Sequence, residues 1–469
     1  MRWSIRSIGL VSTVILVRLL APEDFGLVAM CTLFIALLEV FTSFGVDMAL
    51  IQRSDTTKDH FDTAWTIRLL QVTAVAVCIF TLSPFVAEYF REPRVTALTM
   101  FLSLGVLIGG FENIGVVAFR KELDFSREFR FMVFKKMASF VITICLALWL
   151  RNYWALAWGI VTGNVAAVCI SYVMHAYRPR LSLSRFRELW SFSQWMLLRN
   201  IGMYLRKQLD SFLIARYFDT SQMGYYSVSK EVAELPTTDL VWPMARALFP
   251  GYAKMAHDPD RLGRAYLNVL NTVAMITIPS GLGLALVAQP LVLVAFGERW
   301  GGVVPTLTWL ALYGGILTIS AGVQSPLIAL GRMRRVAALV WVQFLLAAPV
   351  ILWAASQGEL KLIAQAQFGV SIFLLPIFFY SLTSIGLVKW KELGAALWRP
   401  LIAGVVMFLC IGSIPEEWSP GPIVELLVKV PLGAVTYAIA NYSLWRAAGQ
   451  PDGGERLAMD LLSRRLIRR

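Results

Sequence analysis

Two neighbouring apolar stretches carry charges where a bilayer-length segment has least use for them. Trp190–Phe218 contains Arg199, Arg206, Lys207, Asp210 and Arg216, and Tyr225–Phe249 contains Lys230, Glu231, Glu234, Asp239 and Arg246. The matching stretches near the N-terminus carry Arg6, Arg18, Glu39 and Asp47, and the third adds Arg68. Each charge at the centre of a bilayer costs at least about 2.5–3.5 kcal/mol, so such residues usually face a protein interior or an aqueous cavity. Guanidinium and ammonium groups in such a cavity would bind a phosphate or pyrophosphate, Arg bidentately. Buried carboxylates would carry a coupling proton or sodium ion.

Helical spacing refines that chemistry. Arg199, Arg206 and Asp210 share one face at i, i+7 and i+11, and Glu231 and Glu234 share another. At about 1.5 Å of rise per residue, Arg206, Glu234 and Glu39 fall near the midplane, with Arg199 and Arg68 in the cytoplasmic third. The substrate-binding candidates are thus Arg6, Arg68, Arg199, Arg206, Lys207 and Lys230. The ion-coupling candidates are Glu39, Asp210, Glu231, Glu234 and Asp239. Blander readings stand beside these. Arg206 and Asp210 can close an i, i+4 pair, Arg6, Arg18 and Arg216 can snorkel to headgroups, and Arg246 can belong to the cytoplasmic rim. Pro236 and Pro243 serve either as packing kinks or as a hinge.

The elements that position these residues are about fourteen apolar runs, each near the roughly 20 residues that cross a core about 30 Å thick. Phe25–Leu50, Val95–Ala118, Met132–Leu150, Tyr153–Met174 and Val336–Ala355 are examples. Odd-numbered gaps hold about five Lys/Arg, whereas even-numbered gaps plus both termini hold about 29, and Lys/Arg-rich loops are cytoplasmic. Both termini are therefore expected in the cytoplasm. The fold class expected is an all-α polytopic membrane protein, with about fourteen spans in two parallel six-helix lobes around a central cavity plus two C-terminal helices.

Composition agrees: 57% of residues are hydrophobic and 16% charged, against about 25% charged in soluble domains. The net charge of +13 lies mostly in short cytoplasmic loops and the basic tail, where it meets anionic lipid headgroups rather than nucleic acid. The five cysteines sit in apolar runs without shared spacing, and the three histidines are scattered, so neither a disulfide framework nor a metal site is expected. No cofactor is expected. No cleavable signal peptide follows the first run, which leads into Pro22-Glu23-Asp24-Phe25-Gly26.

An internal repeat underlies the two lobes. Arg18-Leu19-Leu20-Ala21-Pro22-Glu23-Asp24-Phe25-Gly26 and Arg216-Tyr217-Phe218-Asp219-Thr220-Ser221-Gln222-Met223-Gly224 set Arg and Gly at equal spacing, 198 residues apart. Both sit between the first and second helix of a six-helix set, so the copies insert in the same orientation, a known transporter plan. The division expected is 1–183, 184–385, two further helices over 386–446 and a basic tail over 447–469.

Enzyme signals are weak. Asp258-Pro259-Asp260 has a metal-binding spacing but reads better as a turn opening a helix, and no nucleotide-binding loop is present. No extramembrane gap is long enough for a folded domain.

Val17–Met30 (VRLLAPEDFGLVAM), Phe44-Gly45 with Leu50–Arg53, Phe119–Phe125 (FRKELDF), Ala247–Lys254 (ALFPGYAK) and Phe296–Trp300 (FGERW) resemble the polysaccharide flippases. These are the Wzx/WzxC-type lipopolysaccharide and exopolysaccharide translocases of the multidrug/oligosaccharidyl-lipid/polysaccharide exporter superfamily. The resemblance implies a V-shaped two-lobed bundle that moves undecaprenyl-pyrophosphate-linked oligosaccharides to the periplasmic leaflet of the bacterial inner membrane. It also implies diphosphate contacts at positions matching Arg6, Arg199, Arg206, Lys207 and Lys230. Expected partners are the lipid-linked oligosaccharide, membrane lipids, a polysaccharide polymerase and a chain-length regulator. A cation-coupled drug exporter and a non-transporting scaffold of a glycan-assembly complex are the alternatives.

Overall fold

The computed structural model describes the backbone of residues 2–42, 50–51, 56–122, 124–237, 250–414, 421–457 and 459, and the side chains of these apart from residues 2–4, 41–42 and 187–199. Every regular element among the described residues is helical. The chain is a multi-pass helical membrane protein that divides into two compact units, Met1–Ser227 and Val228–Arg469.

The first unit holds α1 (Arg2–Leu19), α2 (Pro22–Thr42), α3 (Lys58–Phe90), α4 (Arg94–Gly110), the short α5 (Val117–Lys121), α6 (Phe125–Leu150), α7 (Trp154–Met174), α8 (Phe186–Tyr217) and the start of α9 (Thr220–Glu234). The second holds the end of α9, then α10 (Pro259–Leu286), α11 (Ala288–Ala295), α12 (Val303–Ala321), α13 (Gln324–Ala329), α14 (Met333–Ser356), α15 (Leu360–Thr383), α16 (Trp390–Gly412) and α17 (Pro422–Ala447).

Among the described residues, nine helices are long and apolar enough to cross a bilayer: α3, α6, α7, α10, α12 continued through α13, α14, α15, α16 and α17. The expected run Val95–Ala118 is not one straight span. It bends by 67° between α4 and the turn at Ile114. Asn113 makes the break, because its Oδ1 accepts the Gly115 amide at 2.9 Å and so offers the backbone an alternative to helix continuation. With this bent pair the count reaches ten. The strongly charged α8 and the described part of α9 fall outside it, as do α1 and α2.

Small residues bring helices of the first unit together, as close packing in lipid requires. Gly159 and Gly163, one turn apart on α7, face Thr143 and Ser139 of α6. A Cβ at Gly159 would stand 1.8 Å from the Thr143 hydroxyl, and Ser139 Oγ donates to the Gly159 carbonyl at 2.9 Å. Asn164 donates to the Gly105 carbonyl at 3.0 Å, fixing α7 on α4. The starts of α2 and α9 cross more closely still. A Cβ on Gly26 would lie 1.7 Å from the Thr220 carbonyl oxygen, and one on Gly224 would lie 1.9 Å from that of Pro22.

At 33 residues, α3 is about 50 Å long by its rise per residue, more than the hydrocarbon core needs. Its excess first turns carry buried polar residues that hold the connection after α7. Asp62 accepts the Tyr177 hydroxyl and the Arg180 amide at 2.7 Å. Thr66 Oγ1 accepts the Ser182 amide at 2.9 Å, and His175 Nδ1 accepts the Tyr177 amide at 3.1 Å. An extended segment otherwise lacking backbone partners is thereby satisfied by side chains.

In the second unit, α10 packs on α12 and α16, and α15 on α12 and α14. Asp258 Oδ1 caps α10 through the Arg261 amide at 3.0 Å, with Pro259 at the first helical position, the arrangement favoured at a helix start. Part of the tail docks back. The Gly454 amide donates to Asn271 Oδ1 at 2.8 Å, and Trp445 Nε1 donates to the Pro451 carbonyl at 3.0 Å. These contacts bring Glu455 to Arg399 of α16, Nε to Oε1 3.5 Å, with both residues almost fully buried.

Candidate functional site

Helix α8 is the most polar long helix of the first unit, and it carries four of the candidates, Arg199, Arg206, Lys207 and Asp210. Arg206 is half-buried, Lys207 exposed and Asp210 buried. Tyr204, two residues before Arg206, donates its hydroxyl to the Leu33 carbonyl at 2.6 Å and so ties α8 to α2. That contact sets the orientation of Arg206, Lys207 and Asp210 relative to α2, whose Glu39 is exposed.

Asp210 is held from two sides. Its Oδ2 accepts the hydroxyl of Tyr226, a fully buried residue of α9. Its Oδ1 accepts the Ser211 amide at 2.7 Å and lies 3.3 Å from the Ser211 hydroxyl. A carboxylate buried with three donors is stabilised in place. Tyr226 gave no signal in the sequence, since it is sixteen residues away and on another helix.

Arg68, on α3, lies 3.7 Å from Glu112, and Lys135 of α6 approaches the same carboxylate at 3.5 Å. Glu112 is 8% exposed, so this carboxylate, which sequence reasoning passed over, joins two cations from different helices. Arg6 is half-buried on α1. Arg216 does not simply end a span. Its guanidinium donates to the Tyr89 carbonyl at 2.6 Å and covers the Tyr89 ring at 5.2 Å, placing a cation where the last carbonyls of α3 are electronegative.

The corner between α1 and α2 of the same unit is tied by hydrogen bonds and charge. Asp24 accepts the Ala21 amide at 2.9 Å and the Tyr153 amide at 2.8 Å. Burial nevertheless pushes its carboxyl above the ordinary carboxylate range, with the two amides opposing. Arg94 grips Glu92 through two nitrogens at 2.8 and 2.9 Å and holds that carboxyl below its usual value.

Lys230, Glu231 and Glu234 belong to the second unit, all half-buried near the end of α9. The helix ends two residues before Pro236, where the ring would remove a hydrogen bond. Asp239 and the side chain of Arg199 lie outside the described residues, as do Asp47 and Arg246. Within the first unit the structure therefore gathers Arg206, Lys207 and Asp210 on α8, beside α2, and pairs Arg68 with Glu112.

Asp258, the first carboxylate of the metal-like spacing, is engaged in capping α10. Among the described residues no three His, Cys, Asp or Glu side chains converge as a metal site.

Residues 15–305 match a protein family described as polysaccharide biosynthesis protein. The lipopolysaccharide biosynthesis protein WzxC of Escherichia coli (strain K12) is 26% identical over 334 residues, covering 70% of this chain and 67% of its own. The succinoglycan biosynthesis transport protein ExoT of Rhizobium meliloti (strain 1021) is 24% identical over 457 residues, covering 93% and 91%. Among solved structures, the lipid II flippase MurJ in an inward closed conformation superposes with a TM-score of 0.78 at 13% identity, over 95% of this chain and 98% of that one. The helical transporter fold expected from the sequence is therefore shared with a structure of known architecture.

Proposed function

We propose, from the premise that this chain belongs to the polysaccharide biosynthesis protein family, that it flips undecaprenyl-pyrophosphate-linked oligosaccharide repeat units across the bacterial inner membrane for cell-surface polysaccharide synthesis. The observation that carries the reading is α8. A membrane protein with a flippase fold keeps Arg206 and Lys207 on a helix that packs against the largely apolar α2. Cations retained at such depth against an insertion cost have a function to match, and an anionic diphosphate is the complement.

In this reading Arg6, Arg68, Arg199, Arg206, Lys207 and Lys230 engage the diphosphate. Glu39, Asp210, Glu231, Glu234 and Asp239 are the places for a coupling proton or sodium ion. The two six-helix lobes, 1–183 and 184–385, alternate access to the substrate, while the polyprenyl tail stays in lipid. The protein transports without catalysis, has both termini in the cytoplasm, and works beside a polysaccharide polymerase and a chain-length regulator.

The experiment follows lipid-linked oligosaccharide on each leaflet in a deletion strain, probing the periplasmic side with an enzyme that cannot cross the membrane. Intact units confined to the cytoplasmic leaflet, and moved outward on re-expression, are the expected result. Units that reach the periplasm without polymerising would point instead to a scaffold acting after translocation. Rescue by Arg206→Ala at normal membrane abundance would remove Arg206 from the diphosphate site.

A further inference from the structure

Three turns into α6, near the start of the expected run Met132–Leu150, Lys136 lines a cavity inside the first unit. The cavity has a volume of about 270 Å³. Ser12 and Leu16 of α1, Thr32 of α2, Ser139 and Thr143 of α6 and Ser227 of α9 help to line it. Lys136 lies eleven residues past Phe125, about 16 Å along the helix.

Gly9 makes room for the lysine. A Cβ there would meet Lys136 Cε at 3.8 Å and Nζ at 3.9 Å, so the lysine stem lies along α1 one turn before Ser12. Among the described residues Lys136 makes no hydrogen bond or ion pair, whereas its neighbour Lys135 is paired with Glu112. The other hydroxyls are already donors: Thr32 to the Val28 carbonyl at 2.8 Å, Ser139 to Gly159 at 2.9 Å, Thr143 to Ser139 at 2.6 Å and Ser227 to Gly224 at 3.0 Å. The ammonium and the Ser12 hydroxyl are left to donate.

An ammonium within a membrane-spanning helix, with hydroxyls around it and no carboxylate, is electrostatically incomplete. The cavity is smaller than the roughly 300–1,000 Å³ that encloses a drug-sized ligand, so its occupant is the size of a headgroup and not of an oligosaccharide. Lysine binds phosphate as a point charge. We infer that this cavity is a phosphate site, in which Lys136 and Ser12 hold the phosphate of a lipid headgroup. Two lipids supply that chemistry in this membrane, an anionic phospholipid and the polyprenyl diphosphate of the proposed cargo; the second source rests on the function proposed above.

The test is binding, read by native mass spectrometry on the full chain in zwitterionic phosphatidylcholine nanodiscs titrated with phosphatidylglycerol or undecaprenyl diphosphate. Losing a charge-assisted hydrogen bond of about 1.5–3 kcal/mol weakens binding roughly tenfold or more, and Lys136→Gln is expected to show that loss for at least one lipid. Lys136→Arg is expected to retain most of the affinity. Gly9→Val fills the space along the lysine stem without altering charge, and is expected to weaken the same lipid. Loss confined to undecaprenyl diphosphate assigns the site to cargo; loss confined to phosphatidylglycerol assigns it to a resident lipid. If wild type binds neither lipid, or if Lys136→Gln binds both as wild type does, the phosphate site is refuted. Transport is scored separately in proteoliposomes, so an absence of flipping with the binding difference intact counts against the proposed function alone.

Discussion

Gly26 and Gly224 occupy corresponding places in the two repeats and lie against each other's helix start. Gly26 faces the carbonyl of Thr220 and Gly224 that of Pro22, and residues 22 and 220 are themselves 198 positions apart. The contact is thus reciprocal, residue i on j and j on i, as in an isologous interface. Neither glycine tolerates a Cβ without backbone movement. Gly26→Ala and Gly224→Ala are each expected to destabilise the first unit by about 1–3 kcal/mol, the usual penalty for overpacking. Gly202→Ala, at a position with nothing within 4 Å of a new Cβ, is the control. Thermal unfolding in detergent checks this, and equal melting temperatures for all three variants would contradict it.

Tyr226 of α9 donates its hydroxyl to Asp210 of α8. Tyr226→Phe removes it from a buried carboxylate, at a cost of about 1–3 kcal/mol. Asp210→Asn in the same background should recover part of that loss, since a neutral amide needs less compensation than a carboxylate. The double-mutant cycle in unfolding free energy measures it, and simple additivity would show that the two groups are not coupled.

His175 senses pH in the segment after α7. Burial holds its imidazole below the ordinary histidine value, and its Nδ1 accepts the Tyr177 amide, which requires the neutral ring. The unfolded chain therefore binds the proton more readily. This contribution to stability is fully present above the unfolded value near 6.5 and is lost as pH falls through the lower folded value. The melting temperature of wild type should fall between about pH 7 and pH 5.5 by more than that of His175→Gln. Parallel slopes would exclude His175 as the source.

Arg399 and Glu455 are both at least nine-tenths buried. Removing one partner leaves an uncompensated buried charge, and Arg399→Met or Glu455→Leu alone is expected to cost about 3–5 kcal/mol. The double replacement is expected near wild type, because apolar packing often equals a buried ion pair. Melting temperatures of the three variants decide the matter.

Composition and loop charge made the helical membrane class legible, because a bilayer leaves few solutions for long apolar runs. Local chemistry was legible too, since Asp258-Pro259 opens a helix; Pro236, expected as a packing kink or a hinge within Tyr225–Phe249, instead follows the end of α9 at Glu234. What stayed hidden depends on partners distant in sequence. The break at Asn113 lies inside a run read as one span, although Gly109-Gly110 and Glu112-Asn113 mark it. Glu112 beside Arg68 and Tyr226 beside Asp210 join helices that periodicity treats one at a time. Lys135 and Lys136 fall inside the expected run Met132–Leu150, but α6 begins earlier than that run, where Asp124 caps it through the Arg127 amide at 3.0 Å. The repeat was visible, but not that its two glycines touch.

The ion pair that closes the second unit also sets an order of events during synthesis. Glu455 follows Arg399 by 56 positions (455 − 399), and at about 5–20 residues per second a ribosome takes roughly 3–11 s to reach it. Through that interval α16 resides in the bilayer with its arginine unmatched, because the segment that neutralises it is made after it. A chain released before residue 455 stays exposed to membrane quality control, however well its earlier helices have inserted.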